Sequence, residues 1–173
     1  MSTAAVATVL VFTYAIGAMA EVASESCDFQ ESASISFTSP NAKDRIEVHA
    51  FGKPCGAGSL DLAVFDPKGR EIYRFRAPLT QLLLAHNQSA HWTELLVKEM
   101  AHASIVPWTK IPDIDNLTVD DVAGNVEFAV APSVYRRFRE QRLPVLQHAT
   151  YHEGWQAVVF DGKQSVVIVR AGL

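Results

Sequence analysis

The stretch HATYHEG, His148 to Gly154, sets two histidines four residues apart with a carboxylate directly behind the second. Three kinds of chemistry use such a set: a metal clip, an acid–base pair, or the polar face of a recognition surface. On a helix the two imidazoles lie one turn apart and can share a zinc ion. On a strand they share a face but stand about 13 Å apart, at 3.3 Å per residue. Nitrogens bound to one zinc must approach to within roughly 4 Å of each other. Pro144 and Gly154 bound the segment and two strand-like runs follow it, so the strand reading is preferred and the pair is not a clip. His152-Glu153 also opens like HExxH, but residue 156 is Gln and a turn is not a helix, which ends the zinc-protease reading.

A two-residue turn at Glu153-Gly154 predicts that His152 pairs with Trp155, Thr150 with Ala157 and His148 with Val159. Val145, Ala149, Tyr151, Val158 and Phe160 then make the core face. His148, His152 and Trp155 are left on a solvent-facing surface, a candidate for binding rather than catalysis. The second candidate is Arg136, Arg137, Arg139 and Arg142, four guanidinium groups set against the single Glu140. Their spacing fits a helix packed near an acidic loop, or a surface for an anionic ligand.

Other tempting sets are weaker. His91, Glu94, Lys98 and His102 align on one helical face, but a Glu94–Lys98 ion pair accounts for the spacing. DIDNLTVDD, Asp113 to Asp121, starts like a calcium loop, yet Thr118 replaces the sharp-turn Gly and Gly124 the bidentate Glu. No G-x-S-x-G, P-loop or dinucleotide fingerprint occurs. No catalytic set, metal site or cofactor is therefore expected. The two cysteines, Cys27 and Cys55, lack any CxxC or CxxH company, and in an oxidising compartment they pair as a disulfide.

The location follows from the first 20 residues, MSTAAVATVLVFTYAIGAMA, which carry no charged side chain, whereas every charged residue lies from Glu21 onward. An apolar run ending in Ala18-Met19-Ala20 has the form of a signal peptide cleaved after Ala20, although no Lys or Arg precedes it. The expected product is periplasmic or secreted, with no stable membrane span after cleavage. Two sequons, at Asn87 and Asn116, matter only in a host that glycosylates.

The elements that carry these residues follow from periodicity. Residues 21–32 are Ser- and Glu-rich and read as a loose arm. Ala33–Thr38, Arg45–Phe51, Leu60–Phe65 and Glu71–Phe75 alternate as strands, with Asp66-Pro67-Lys68-Gly69 a type I turn. Gln81–Ala85 reads as a short helix. Ser89–Ser104 reads as a longer one, with Trp92, Leu95, Leu96, Met100 and Ala103 as its apolar stripe. Residues 105–125 read as a long surface loop, and 126–130 as a short strand. Pro132–Arg142 reads as a helix with Val134, Tyr135 and Phe138 inward, and Val145–His152, Trp155–Phe160 and Ser165–Arg170 as three antiparallel strands.

This order predicts one α+β domain over residues 21–173, with a largely antiparallel sheet and two or three helices. A chain of 173 residues, 49% hydrophobic and 20% charged, can build a core without metal. A net charge of −4 argues against nucleic acid as partner. The function expected is non-enzymatic binding, or an inhibitor-like role, toward a protein or small ligand of the cell envelope. The alternative is a small exported hydrolase whose dispersed His and Asp residues are brought together by the fold.

Overall fold

The computed structural model describes residues 25–102 and 104–172, so the expected signal peptide and its expected cleavage after Ala20 lie outside the described residues. Two antiparallel sheets form the frame. The first is a meander of β1 (Cys27–Ile35), β2 (Asp44–Gly52), β3 (Ser59–Phe65) and β4 (Glu71–Pro78). A four-residue helix α1 (Leu79–Leu82) and the long helix α2 (Ala90–His102) follow. The C-terminal half supplies β5 (Ile105–Val106), α3 (Val119–Ala123), β6 (Glu127–Phe128), α4 (Pro132–Glu140), β7 (Val145–Ala149), β8 (Trp155–Phe160) and β9 (Ser165–Ala171). Its sheet runs in the order β5-β7-β8-β9-β6. The α+β expectation holds.

Alternation explains the first sheet. Ile46, Val48 and Ala50 of β2 and Leu60, Leu62 and Val64 of β3 point inward and are fully buried. Arg45, Glu47, His49 and Phe51 point the other way, as period two requires. On the inner side α2 packs over β1 and β2. Leu146, Val158 and Phe160 of the second sheet join the same apolar cluster. The second sheet's other face packs on Tyr135 and Phe138 of α4 and on Ile111. The molecule is thus layered: first sheet, second sheet, then α4 with the 105–125 segment. The second sheet is covered on both faces, which is why its strands read almost continuously apolar.

Three expectations about elements are corrected. Residues 27–32 are not a loose arm but the start of β1, because Phe29, Ala33 and Ile35 alternate inward between outward Asp28, Gln30, Ser32 and Ser34. The buried stripe of α2 is Ala90, Thr93, Val97, Met100 and Ala101, while Trp92 and Leu95 are exposed. Ala90, Thr93 and Ala101 keep the contact face with β1 and β2 small beside Val97 and Met100, and Trp92 and Leu95 are turned aside. The 105–125 segment contains β5 and α3, the latter opened by a capping box between Thr118 and Asp121. The hairpin at Asp66–Gly69 forms as read: Gly69 N donates to Asp66 O at 2.8 Å, and Gly69 takes φ +80°.

The disulfide is present. Cys27 and Cys55 stand 5.0 Å apart at Cα and join the start of β1 to the loop before β3. Both are buried beside Thr93 of α2, whose hydroxyl lies 3.3 Å from the Cys55 sulfur. The bond fastens the edge strand to the loop that follows its neighbour, where β1 has no second strand to hold it.

Candidate functional site

The β7–β8 connection is five residues, Thr150 to Gly154, rather than two. Thr150 N donates to Gly154 O at 2.9 Å and Gly154 N to Tyr151 O at 3.1 Å, so His152 and Glu153 occupy the centre of the turn. The register is therefore Ala149↔Trp155, His148↔Gln156 and Val145↔Val159. This overturns the expected pairing by three residues, an odd number, which moves His148 to the opposite face of the sheet. Gly154 was read as a turn residue, but it has no positive φ and is needed for close approach. A Cβ there would lie 3.1 Å from Ala171 O and 3.2 Å from Gly172 O. The turn is pressed against the end of β9, and Gln81 ties it to α1. His152 N donates to Gln81 O at 3.0 Å, and Gln81 Nε2 donates to Thr150 O at 2.7 Å.

His148 is consequently not a surface residue: it is 4% exposed and faces the first sheet. Its ring packs 4.5 Å from that of Phe75, centroid to centroid. Nδ1 lies 2.8 Å from the Ala149 carbonyl, which can only accept, so Nδ1 carries the proton. Nε2 then accepts from the Tyr73 hydroxyl at 2.6 Å, and Gln156 Nε2 donates to the same hydroxyl oxygen at 2.6 Å. The Gln156 amide nitrogen, the Tyr73 hydroxyl and both ring nitrogens of His148 are each matched to a partner. Burial lowers the His148 pKa to about 4, keeping the ring neutral, and raises that of Tyr73, keeping its proton in place. The hydrolase alternative calls for a histidine aimed at a carboxylate inside a cleft. His148 is aimed at a phenol and a peptide carbonyl, and the His49–Asp28 pair at 2.6 Å lies on the outer face of the first sheet.

Two open clefts flank the turn. The first, about 500 Å³, has an apolar floor of Leu82, Leu96 and Met100, and is rimmed by Glu99, His152 and Trp155. The second, about 520 Å³, lies between Asp120 and Asp121 of α3 and the Ala171-Gly172 end of β9. Tyr151, Glu153 and Trp155 line both, so the turn is their common wall. His152 and Trp155 of the expected surface are thus brought to one place, although not as a cross-strand pair. Trp155 also packs against the cluster under α4.

The arginines do not join this site. Arg136 holds Asp115 at 2.6 Å and Arg139 lies 3.6 Å from Asp113, so the helix sits against the acidic segment. The Arg136 guanidinium holds the Asp115 carboxyl below its usual range. Arg137 lies over the Phe138 ring, and Arg142 takes φ 50° just beyond the end of α4. The Asp113–Asp121 stretch is closed by its own bonds: Thr118 and Asp121 cap α3, and Asp113 accepts from Asp115 N at 3.2 Å. The Glu94–Lys98 pair forms at 2.7 Å. Among the described residues, no group of three His, Cys, Asp or Glu side chains is placed to hold a metal ion.

Leu82, Leu96, Met100 and Tyr151 were not anticipated as site residues. For Leu96 the signal was in the sequence as surplus apolarity on α2, more than one buried stripe needs, whereas Leu82 lies on α1 and Tyr151 in the turn, where no such pattern marks them. No family model, curated protein or solved structure matches the chain.

Proposed function

We propose that the protein is an exported, disulfide-stabilised binding protein that uses the two clefts around the 150–155 turn to hold a ligand or partner of the cell envelope. The observation that carries this reading is the first cleft: an open cavity with an apolar floor and a few polar groups at its rim, the usual make-up of a binding site. The turn that forms its wall is held by backbone bonds to α1 and by close packing on β9, so the surface is preformed. Trp92 and Leu95 are further exposed apolar side chains on α2, the helix that supplies Leu96 and Met100 to the cleft. Export is supported by the uncharged leader sequence and by the disulfide, which an oxidising compartment maintains. Among the described residues no helix is long and apolar enough to cross a membrane.

Capture from an envelope extract, run in parallel with the native chain and two variants, tests the reading. Leu96→Glu and Trp155→Ala change the cleft, whereas Arg136→Gln changes the helix surface. A species retained by the native chain and by Arg136→Gln, and lost from both cleft variants, is the expected result. Retention that ignores the cleft variants, or a loss confined to Arg136→Gln, would move the site elsewhere.

A further inference from the structure

Resting on the reading that these clefts are the binding site, we infer that their occupant is a basic segment of a protein partner, an extended stretch in which Lys or Arg alternates with apolar side chains. The charge on the walls is of one sign. Glu99 lines the first cleft, Asp120 and Asp121 the second, and Glu153 both. Among the described residues neither cleft is lined by a Lys or an Arg, whereas two other clefts hold Lys68 with Arg70 and Lys110 with Arg139. Several carboxylates elsewhere on this surface are matched within the chain: Asp61 by Arg74 and Arg76, Asp115 by Arg136, and Glu94 by Lys98. Glu99, Asp120 and Glu153 enter no ion pair and no side-chain hydrogen bond among the described residues. Their field is left uncompensated at the place where the apolar cavity opens.

The remaining wall chemistry suits the same ligand. Tyr151 is 43% exposed, and with Trp155 it offers aromatic faces beside the carboxylates, a pairing that attracts an ammonium or guanidinium group. The floor of Leu82, Leu96 and Met100 takes the aliphatic stem of such a side chain or an apolar neighbour. A single small amine fills one cleft only. An extended peptide can cross the turn and place one side chain on each side, because Tyr151, Glu153 and Trp155 are shared by both clefts. A bare divalent cation is disfavoured, since the described carboxylates do not converge on one point.

The test titrates the full chain, isotopically labelled for NMR, with three defined probes: an acetylated and amidated Leu-Lys-Leu-Lys-Leu peptide, its Leu-Glu-Leu-Glu-Leu counterpart, and N-acetyl-lysine amide. The lysine peptide is expected to shift the Trp155 indole and the Tyr151 and Gly154 amides, and to bind at least about tenfold tighter than either other probe. Raising salt to about 0.5 M, or combining Glu153→Gln with Asp120→Asn, should weaken it by about tenfold, while Glu127→Gln outside the clefts should change nothing. Equal binding of the glutamate peptide at these residues would overturn the basic class and leave the clefts as an apolar binding site. Equal binding of N-acetyl-lysine amide would overturn the peptide class. Lack of any shift at the three reporters, or indifference to the carboxylate variants, would overturn the inference altogether.

Discussion

At the scale of single residues, His148 links two sheets through a chain whose direction is set by one carbonyl. Because Nδ1–H donates to Ala149 O, Nε2 must accept, and Tyr73 must donate. A protonated ring would put a second donor opposite the Tyr73 hydroxyl and a charge in the core, both unfavourable. The folded pKa is about 4 against 6.5 for an ordinary ring, so between those values the unfolded chain binds more protons than the folded one. The stability gained from the neutral buried ring is complete above about pH 6.5 and is lost as pH falls through about 4. At 1.36 kcal/mol per pH unit the loss is on the order of 3 kcal/mol. His148→Leu should remove this slope, and at pH 7 it should cost about 1 to 3 kcal/mol because the buried Tyr73 hydroxyl loses its acceptor. Urea unfolding of both proteins at pH 7 and pH 4.5 measures the difference. A native chain no more acid-sensitive than the variant would show that the ring is not held neutral in the core.

At the scale of elements, the disulfide and the glycines decide how firmly the edges are held. Cys27 and Cys55 close a loop with a sequence separation of 28 residues. Restricting such a loop in the unfolded chain contributes roughly 3 to 4 kcal/mol. Replacing both with Ser should lower unfolding stability by about 2 to 5 kcal/mol, read from the urea midpoint, and an unchanged midpoint would count against that role. Two glycines with left-handed backbone separate strain from collision. At Gly69, φ +80°, an added Cβ meets nothing within 4 Å, so Gly69→Ala should cost only the backbone strain, about 1 to 2 kcal/mol. At Gly172, φ +74°, the Cβ would come 2.2 Å from Glu153 O. Gly172→Ala should therefore cost more and push the 150–154 turn outward. A larger loss of thermal stability than for Gly69→Ala, with a changed Trp155 NMR signal, is the expected outcome. These glycines also mark what could be read in advance. Asp66–Gly69 was legible because its glycine takes positive φ at the end of the turn. Gly154 was misread because part of what crowds it, Ala171 O and Gly172 O at 3.1 and 3.2 Å from an added Cβ, comes from the distant end of β9 and leaves no local mark. The face of His148 went wrong with it, since register hangs on the turn.

For the whole molecule, the first sheet and the β7-β8-β9 part of the second were legible because they are built from neighbours in sequence, and alternation reports a half-buried face directly. The stacking of the second sheet between the first sheet and α4 was not, since nothing local says which of two apolar faces meets which layer. The same limit concealed the clefts, which join α1, α2, α3 and two strand ends far apart in the chain. What the chain states plainly at this scale is a segregation of charge, with an uncharged first 20 residues and every charged side chain after them. If that segment directs export and is removed after Ala20, the exported product begins at Glu21. It leaves only a short lead of residues before β1, and Cys27 meets Cys55 in the oxidising compartment. Intact mass of the exported protein should then equal the chain from Glu21 less the two thiol hydrogens. A chain deprived of residues 2–20 should remain in the cytosol with both thiols free, and its stability should fall by the amount that the double Ser variant loses. Recovery of exported material that still begins at Met1, or of a cytosolic form already carrying the bond, would break the link between leader, compartment and cross-link.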